Sequence, residues 1–400
     1  MSCTAAQSNN TGGRGYTPTV NNVRILVAGA TGYVGSRLVS ALLDDRHEVV
    51  ATSRDAGKLA DFGWYDDVTS VSLDAHDAAS AKQAFAEAGP VDVVYYLVHG
   101  IGQPDFREAD NRAAANVAAA ARDAGVGRIV YLGGFVPDGD GLSEHLTSRA
   151  EVAQALTLTD GPELVWLGAA MIIGAGSTSF ELLRYVGDRF VLIPMPPWVH
   201  NPMDPISIRD VLHYLVAAAD PAQVPAGAYD IHGPETTTYR DLMLAYARAS
   251  GKWRASLPVP GVETAVLSRL SAMTSPVPDG LVADLVASLA HPMMASDDGL
   301  RALVADPPGG LLGIDDAITF ALSSRRTRPV NALADPHHLA DTDPVWAGGD
   351  TLRIRRLAAM VTPSVARPML GLFDAMPGPV AAALRTGLDG LIGLVPKTKP

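Results

Sequence analysis

The chain has 400 residues, of which 48% are hydrophobic and 18% are charged, and its formal net charge is −12. This composition is typical of a globular protein with a large buried core. The acidic balance and the absence of a run rich in lysine and arginine argue against a protein that binds nucleic acid. Because Cys3 is the only cysteine, no disulfide can form within the chain.

No apolar run is long enough to span a membrane, so the sequence predicts no spanning helix. Residues 1–22 are rich in serine, threonine, asparagine and glycine and lack an apolar segment. They therefore predict a disordered tail rather than a signal peptide or an anchor. From these features we expect a cytoplasmic protein.

The first element in the chain is an apolar run at residues 23–28, which predicts a buried strand. A glycine-rich turn at 29–35 follows and leads into a helix predicted over 36–43. A strand, a tight turn and a helix in this order place a pyrophosphate at the helix N-terminus, where free amides and the helix dipole favour negative charge. The first glycine makes the turn, the second lets the backbone approach phosphate, and the third allows close packing of helix on strand. The residues that we expect to contact a dinucleotide here are Gly29, Thr31, Gly32, Tyr33, Val34 and Gly35.

Strand and helix signals alternate from the turn to about residue 175, and this alternation predicts an α/β fold with a doubly wound parallel sheet of the Rossmann type. The predicted strands lie at 23–28, 48–53, 68–73, 91–98, 128–132 and 163–167. The predicted helices between them lie at 36–43, 78–88, 106–124 and 144–158. Prolines then separate shorter predicted helices at 180–186, 209–219, 239–250, 262–273, 281–289 and 315–322.

These patterns divide the chain into four parts. The sequence predicts a disordered tail over 1–22, a dinucleotide-binding core over 23–175, a smaller, mainly helical substrate-covering region over 176–325 and a C-terminal extension over 326–400. Within the extension, polar residues around 325–350 predict a linker, and proline-broken amphipathic helices are predicted over 352–395. Charged residues in these helices argue against a membrane span. We expect the helices to cover an apolar face of the body or of a partner, such as the second copy in a homodimer.

The end of the second predicted strand favours NADP over NAD. Folds that bind NAD usually place a carboxylate here, about 20 residues after the first glycine, to bind the ribose 2′-hydroxyl. In this chain the strand ends at Ser53 and is followed by Arg54, whose guanidinium offers the fixed, charged donors that suit a 2′-phosphate. Lys58 and Arg37 can add positive charge nearby. The adjacent Asp55 keeps NAD binding open, and Arg54 has the alternative role of capping the sheet edge in solvent.

Two further polar residues follow the ends of predicted strands. Asp74 comes after the third strand, where it can either accept from the adenine amino group or cap the following helix. His99 comes at the carboxyl end of the fourth strand, where open α/β sheets bind their ligands. We expect His99 to line the cofactor cleft or, as an alternative, to handle a proton. No metal site is predicted, because His337 and His338 lack the spacing of metal ligands and are expected to be solvated.

Several segments of the chain resemble the short-chain dehydrogenase/reductases, in their atypical, NmrA-like NAD(P)H-binding branch. They are 29–35 (GATGYVG), 91–100 (VDVVYYLVHG), 125–135 (GVGRIVYLGGF), 142–152 (LSEHLTSRAEV), 171–183 (MIIGAGSTSFELL) and 205–215 (PISIRDVLHYL). The resemblance spans about residues 23–325. It implies a Rossmann fold that binds NADP or NAD and an oxidoreductase activity.

The resemblance also identifies candidate catalytic residues. In ordinary members of that superfamily, a Tyr-x-x-x-Lys pair and a hydroxyl residue at the end of the fifth strand do the chemistry. Here the corresponding positions hold His145 and Arg149, with Gly133 and Gly134 in place of the hydroxyl residue. The spacing places His145 and Arg149 on one helix face. Arg149 would bind ribose hydroxyls, and His145 would be a general acid–base, although a neutral imidazole donates a proton poorly. The pair therefore admits either catalysis or cofactor binding alone.

Together these features predict an NADP(H)-binding oxidoreductase that moves hydride to or from an apolar carbonyl, quinone or alkene. The apolar residues predicted to line the substrate site are Phe135, Ile172, Phe180, Leu183 and Trp198. The sixth strand ends in Trp166, Leu167 and Gly168 where relatives usually have Leu-Arg, so the substrate side should differ from theirs. The main alternative is a non-catalytic NADP(H) redox sensor that acts through a partner bound by the C-terminal extension. A cofactor-assisted epimerase or an assembly factor is a third hypothesis.

Overall fold

The computed structural model describes residues 22–100, 105–136, 144–259, 291–323 and 326–361, together with a few residues within 276–289 and 380–385. The strands are β1 (Arg24–Ala28), β2 (Glu48–Ser53), β3 (Thr69–Ser72), β4 (Val93–Tyr96), β5 (Arg128–Gly134), β6 (Glu163–Ala169), β7 (Ile172–Ile173), β8 (Leu192–Met195), β9 (Pro202–Met203), β10 (Ile206–Ser207), β11 (Gly227–Ile231), β12 (Thr237–Thr238) and β13 (Ala255–Pro258). The α-helices are α1 (Tyr33–Asp44), α2 (Ala78–Ala88), α3 (Phe106–Asp123), α4 (Glu144–Leu156), α5 (Thr178–Arg189), α6 (Ile208–Ala217), α7 (Tyr239–Ala249), α8 (Gly299–Leu303), α9 (Ile314–Ser323) and α10 (Gly349–Val361). Short 3₁₀ helices lie at Ala56–Asp61, Tyr65–Asp67, Pro197–His200 and Val330–Ala332.

Seven of these strands form one sheet in the order β11-β6-β5-β4-β1-β2-β3, with all neighbours parallel. β1 lies between β2 and β4, so that Val27 pairs with Ala51 on one side and with Tyr95 on the other. The chain therefore runs outward from β1 to β3 and then crosses to the other side of β1. This crossing places a crevice at the carboxyl ends of β1 and β4. The doubly wound α/β fold predicted from the sequence is confirmed.

Helices cover both faces of the sheet because successive residues of a strand point to opposite sides. In β1, Ile25 and Val27 pack with apolar residues of α1 and α6, whereas Leu26 and Ala28 pack with those of α2, α3 and α4. All four side chains are fully buried. A strand that is apolar on both faces belongs in the middle of a covered parallel sheet, as the continuous apolar run predicts.

The second half of the chain contains strands that the sequence analysis missed. β11 joins the large sheet beside β6, with Tyr229 paired to Leu167, and three two-stranded sheets pair β7 with β10, β8 with β13 and β9 with β12. The signal of β11 is weak because it is an edge strand in which only Ile231 is fully buried. The predicted helices agree with α5, α6, α7 and α9 to within a few residues. The helices predicted over 262–273 and, except for isolated residues, over 281–289 lie outside the described residues, as does most of the 1–22 tail.

The C-terminal segment (residues 326–361) packs against the body, which contradicts the linker predicted there. Arg37 of α1 forms a buried ion pair with Asp343, with 2.7 Å between Nη2 and Oδ2. The same guanidinium donates to the carbonyl oxygens of Pro336 and His338. Because Arg37 is fully used in holding this segment, the prediction that it adds charge beside the cofactor is wrong.

The C-terminal segment also contacts α5. Asp350 of α10 pairs with Arg189 of α5, with 2.6 Å between Oδ1 and Nη2. His337 is fully buried, and its Nδ1 lies 2.6 Å from Oδ1 of Asp335, so the prediction that it is solvated is wrong. Of the amphipathic helices predicted over 352–395, the first corresponds to α10, and most of the rest lies outside the described residues. Among the helices that the structure describes, none is both long and apolar enough to cross a membrane.

Candidate cofactor-binding and active site

The glycine turn makes a tight connection between β1 and α1. Gly29 has a φ of +95°, and a Cβ atom there would come within 2.9 Å of the carbonyl oxygen of Leu97. At Gly35 a Cβ atom would lie 2.2 Å from the carbonyl oxygen of Gly29. Glycine is therefore required at 29 for the backbone conformation and at 35 for the close approach of helix to strand. α1 begins at Tyr33 rather than at residue 36, because the turn itself leads directly into the first helical turn.

The N-terminus of α1 has amides that can bind an anion. Gly32 is the N-cap residue, and within the described part of the chain no side chain caps the helix. The first intrahelical hydrogen bond runs from the amide of Ser36 to the carbonyl oxygen of Gly32, at 2.9 Å. The amides of Tyr33, Val34 and Gly35 precede it, and the first turn has no acidic residue. These amides and the helix dipole together favour a negative group at this end of α1.

The first cavity, of about 580 Å³, lies along the carboxyl ends of β1, β2, β3 and β4. It is bounded on one side by the glycine turn and on the other by the residues that follow β2 and β3. The described residues that line it are Gly29, Thr31, Gly32, Thr52, Ser53, Arg54, Asp55, Lys58, Leu73, Asp74, Ala75, His76, Leu97, Val98, His99 and Gly100. Arg54, Asp74 and His99, which follow β2, β3 and β4, therefore line the same cavity.

The two carboxylates beside the first cavity have different local partners. Asp55 caps the 3₁₀ helix that follows β2, where its Oδ1 accepts from the amide of Gly57 at 3.0 Å. Asp74 accepts from the amide of His76 at 3.0 Å, whereas α2 is capped by Asp77. The predicted alternative in which Asp74 caps the helix is therefore wrong.

The second cavity, of about 310 Å³, continues from the first past the N-terminus of α1. Gly29, Gly32, Leu97 and His99 line both cavities. The described residues that line only the second are Tyr33, Val34, Gly35, Leu132, Gly133, Gly134, Arg149, Ala169, Ala170, Ile172, Ser177, Thr178 and Ser179. All the predicted cofactor contacts thus lie on the walls of two adjoining cavities.

Tyr33 is held at the base of the second cavity by its neighbours. The guanidinium of Arg37 lies over its ring, 4.0 Å from the ring centroid. Burial raises the pKa of the Tyr33 phenol well above its usual value, so the hydroxyl stays protonated. Tyr33 therefore contributes a neutral surface and a backbone amide to the cavity rather than a negative charge.

The predicted catalytic pair lies on α4. Arg149 is only 7% exposed and reaches the wall of the second cavity. Its guanidinium contacts the ring of His99, with 2.7 Å between Nη1 and Nε2. His145 lies one turn earlier in the same helix, and its side chain lies outside the described residues. The structure thus brings Arg149 together with His99, a pairing that the sequence analysis did not predict.

An aromatic row leaves no room for a side chain at Gly133, one of the two glycines that stand where a hydroxyl residue was expected. Tyr96, Tyr131 and Trp166 lie side by side on β4, β5 and β6, in register with one another. A Cβ atom at Gly133 would lie 2.6 Å from Nε1 of Trp166 and 2.9 Å from Cε1 of Tyr131. Trp166 therefore lies against the Cα side of Gly133 where a side chain would project. Gly133 is the residue that this packing requires.

The third cavity is small, about 90 Å³, and adjoins the second through Gly134, Ala169, Ala170 and Ser179. The other described residues that line it are Leu146, Met171, Leu182, Met203, Tyr239, Ser288, Leu289 and Met293. Most of the lining is apolar, and three of these side chains are methionines, which adapt to irregular shapes.

The substrate-lining residues predicted from the sequence are mostly wrong. Phe135, Phe180 and Leu183 are fully buried in the hydrophobic core between α5, α7 and α9. Trp198 packs on Tyr239, with 6.1 Å between ring centroids, and Ile172 alone of the predicted set lines the second cavity. An apolar residue in a helical pattern does not reveal which side of its helix faces a cavity.

Asp110 of α3 is a site residue that the sequence analysis missed. It is 2% exposed, and its Oδ1 accepts from the amide of Gly100 at 2.7 Å, beside His99. Burial raises the pKa of Asp110, and the Gly100 amide and the positive charge of Arg149 oppose that rise. The available signal was its helical spacing from Phe106, which places a carboxylate on the apolar face of α3. Over the described residues, no group of three or more histidine, cysteine or acidic side chains could hold a metal ion.

The chain is similar to proteins that bind nicotinamide dinucleotides. Residues 29–150 match a family model described as NAD(P)H-binding. A nucleoside-diphosphate-sugar epimerase from Staphylococcus aureus has 17% identity and a TM-score of 0.58, over 74% of this chain and 99% of that one. The triphenylmethane reductase of Citrobacter sp. complexed with NADP(H) has 20% identity and a TM-score of 0.56, over 74% and 99%. The Bordetella bronchiseptica enzyme WbmH in complex with NAD+ has 16% identity and a TM-score of 0.56, over 75% and 97%.

Curated relatives that match in sequence are described as uncharacterised proteins. An uncharacterised protein of Mycobacterium tuberculosis is 26% identical over 228 residues, which is 56% of this chain and 23% of that protein. An uncharacterised protein of Mycobacterium bovis matches to the same extent. The chain therefore spans less than a quarter of the length of the curated relatives that it matches. At these identities, the solved structures show a shared fold, and the family match places an NAD(P)H-binding domain over the glycine turn, Arg54, His99 and Arg149.

Proposed function

We propose that this chain binds NADP(H) and reduces an apolar carbonyl, quinone or alkene. The premise is that it carries an NAD(P)H-binding domain with the fold of the short-chain dehydrogenase/reductases. The observation that carries this proposal is the pair of adjoining cavities. They run from Arg54 past the amides at the N-terminus of α1 to Arg149. Cationic donors at both ends and free amides in the middle match a dinucleotide that carries phosphates.

The first cavity favours NADP because its polar lining suits a 2′-phosphate. Ser53, Arg54 and Lys58 line it together, and a guanidinium and an ammonium both bind phosphate strongly. Asp55, which would keep NAD binding open, uses its carboxylate to cap the 3₁₀ helix. Asp74 remains available to accept from the adenine amino group at the other side of the cavity.

The second cavity is where the nicotinamide half would bind, held by the amides of Tyr33, Val34 and Gly35 and by Arg149. NADPH supplies a hydride when it is bound. Arg149 contributes positive charge and donors to ribose hydroxyls, and its burial keeps these donors in a fixed direction. His145, one turn away on α4, is the candidate for moving the proton that must accompany the hydride.

The third cavity supports an apolar substrate rather than a sugar nucleotide. The described residues that line it carry no charged side chain, whereas a nucleoside diphosphate needs cations to replace its hydration. The two arginines of α5 already have partners, since Arg184 pairs with Glu181 and Arg189 pairs with Asp350. Among proteins of this fold, we therefore expect the reaction to be closer to that of the triphenylmethane reductase than to that of the epimerases.

A non-catalytic redox sensor is the second candidate function. Two observations favour it: Gly133 and Gly134 stand where the resemblance implies a hydroxyl residue, and the C-terminal segment is tied to α1 through Arg37 and Asp343. A sensor of this kind would bind NADPH tightly and never consume it. Cofactor binding and turnover must therefore be measured separately.

The first experiment titrates the full chain with NADPH and, separately, with NADH, and it measures binding by the change in nicotinamide fluorescence. A charge-assisted contact contributes about 1.5–3 kcal/mol, so we expect NADPH to bind about 10- to 100-fold more tightly than NADH. Arg54→Met should remove most of this preference without weakening NADH. Arg122→Met, on the exposed end of α3, is the matched control and should leave both affinities unchanged. Equal binding of the two cofactors by the unmodified chain would refute the NADP assignment.

The second experiment measures turnover with a panel of quinones, aldehydes and activated alkenes. We expect loss of NADPH fluorescence with at least one of them, abolished by His145→Phe and by Arg149→Met. A His145→Phe variant that binds NADPH normally but no longer oxidises it would support the reductase. Tight NADPH binding with no consumption across the panel would favour the sensor.

A further inference from the structure

His99 is fixed in place by its chain neighbours. It follows β4 by three residues and lines both the first and the second cavity. The amide of Leu97 donates to the carbonyl oxygen of Ala28 at 2.9 Å. The amide of Gly100 donates to Oδ1 of Asp110 at 2.7 Å. The residues on both sides of His99 are therefore tied to β1 and to α3.

The absence of a side chain at Gly100 makes this anchoring possible. A Cβ atom there would lie 2.9 Å from Oδ1 of Asp110, at the distance of the hydrogen bond itself. Asp110 is a buried residue of α3. The backbone beside His99 is thus held by hydrogen bonds to neighbouring elements. This backbone places the imidazole at the junction of the two cavities.

The imidazole of His99 contacts the guanidinium of Arg149. Nη1 of Arg149 is within hydrogen-bonding distance of the ring of His99 and lies closer to Nδ1 than to Nε2, whereas Nε2 lies 3.4 Å from the carbonyl oxygen of Leu132. A guanidinium only donates, so the nitrogen that binds it must carry a lone pair. A carbonyl only accepts, so the nitrogen that faces Leu132 must carry the proton. One neutral tautomer satisfies both, with Nδ1 accepting from Arg149 and Nε2 donating to Leu132.

Among the described residues, Arg149 is held by contacts from His99 and Tyr131. Its side chain is buried, yet none of the ion pairs among the described residues includes it. Tyr131 contacts both residues. Its ring meets that of His99 edge-on, with 6.1 Å between ring centroids, and its hydroxyl donates to the backbone carbonyl of Arg149 at 3.3 Å. A long arginine side chain loses conformational entropy when it binds a ligand, unless the free protein already holds it in the bound rotamer.

We propose that His99 is a positioning residue that holds the Arg149 guanidinium at the second cavity and so prepares it to bind the nicotinamide half of the cofactor. This inference rests on the proposed binding of NADP(H), and it gives His99 a role other than contact with the cofactor or transfer of a proton. The imidazole acts as a neutral acceptor, with its tautomer fixed by Leu132. The guanidinium keeps its remaining donors for the ligand.

A double-mutant cycle on the NADPH dissociation constant tests this role. The variants of the full chain are His99→Leu, Arg149→Met and the combination of the two, with thermal unfolding measured for each as a check on the fold. His99→Leu should weaken NADPH binding about tenfold, the loss that one hydrogen bond supports. In the Arg149→Met background the same change should alter binding less than about twofold, because no guanidinium remains to be positioned. His99→Asn keeps an acceptor oxygen and should restore most of the affinity.

The outcomes separate the possible roles of His99. An equal loss in both backgrounds would show that His99 contacts the cofactor itself, and no loss in the first would show that the guanidinium needs no anchor; either result overturns the proposal. If Arg149→Met leaves NADPH affinity unchanged while Arg54→Met lowers it, cofactor binding stands and this inference fails. Nitrogen-15 spectra of histidine-labelled protein give a readout that needs no variant to fold. They should show Nδ1 unprotonated and Nε2 protonated at His99, and a doubly protonated ring would contradict the proposal.

Discussion

Replacing Asp343 with alanine should destabilise the protein, because it leaves the buried guanidinium of Arg37 without its carboxylate. Both side chains are 2% exposed, and the carboxylate accepts two hydrogen bonds from Arg37, at 2.9 and 2.7 Å. It also accepts from the amide of Ala340 at 2.7 Å. The two hydrogen bonds from Arg37 join α1 to the C-terminal segment, and the third holds the turn around Asp343 within that segment, so their loss affects how the segment packs on the body.

The expected loss follows from the other partners of Arg37. Removing one member of a buried ion pair typically costs about 3–5 kcal/mol. Arg37 keeps acceptors, since it also donates to the carbonyl oxygens of Pro336 at 2.9 Å and of His338 at 2.8 Å. These hydrogen bonds still stabilise the buried charge in the variant. We therefore expect a loss at the lower end of this range, about 3 kcal/mol in the free energy of unfolding.

Urea unfolding followed by circular dichroism measures this change. Hydrogen exchange should show faster exchange of the Ala340 amide in the variant. The double variant Arg37→Met, Asp343→Leu should recover much of the loss, because no unpaired charge remains buried. Asp123→Ala, which breaks an exposed ion pair with Arg122, is the matched control and should cost less than about 1 kcal/mol. A cost for Asp343→Ala as small as that of the control would refute the packing of the C-terminal segment described above.

Two further predictions concern single positions near α4. Gly133→Ser should lower the free energy of unfolding by about 1–3 kcal/mol and should not increase turnover, because its Cβ would lie 2.6 Å from Nε1 of Trp166. Gly134→Ser is its control and should be tolerated, since the atoms nearest to a Cβ there are 3.7 Å away. Urea unfolding of both variants measures the two free energies of unfolding, and equal losses would contradict the packing argument. Hydrogen bonds from Arg107, and then from Asn111, lower the pKa of Glu151 from 4.5 to about 2. A carboxylate with a depressed pKa stabilises the fold above its unfolded pKa, and this contribution, less than about 1 kcal/mol for a partly exposed pair, is lost as pH falls from about 4.5 towards 2. Glu151→Gln should therefore lie below the unmodified protein in stability at neutral pH and approach it in acid, and a pH-independent difference would contradict this assignment.

The parts of the fold that the sequence predicted are those with strong local signals. β1 is apolar on both faces and is followed by glycines at 29, 32 and 35, so its place and its turn follow from neighbouring residues alone. β11 could not be predicted in the same way, because an edge strand with the sequence Gly-Ala-Tyr-Asp-Ile buries little apolar surface. Its pairing with β6 is a contact between residues far apart in the chain, which no local pattern encodes.

The same distinction applies to the site. Arg54 could be found because the residue after β2 has a defined role in nucleotide-binding folds. The burial of Arg37 could not, since it depends on Asp343, whose position in the chain is 306 residues away. The linker predicted over 325–350 failed for a related reason: a polar, proline-containing segment packs well when its charges find partners in the body.

The departures from the ordinary catalytic pattern all lie at one end of the site. Arg149 and Gly133 line the second cavity, and His145 lies one turn before Arg149 on α4, whereas the first cavity keeps the polar groups expected for the adenine half of a dinucleotide. Because the net charge of the chain is −12, the positive charges of Arg54, Lys58 and Arg149 at the cavities are contrary to the overall acidic balance. Asp55 caps a helix and Asp110 binds a backbone amide, so these carboxylates have local partners, whereas Arg54 and Arg149 face the cavities. Cofactor affinity should therefore depend on the first cavity and on the anchoring of Arg149, while any loss of chemistry would come from the second. An Arg54 variant and a His145 variant should then differ in kind: the first should alter binding with little effect on turnover at saturation, and the second should alter turnover with little effect on binding.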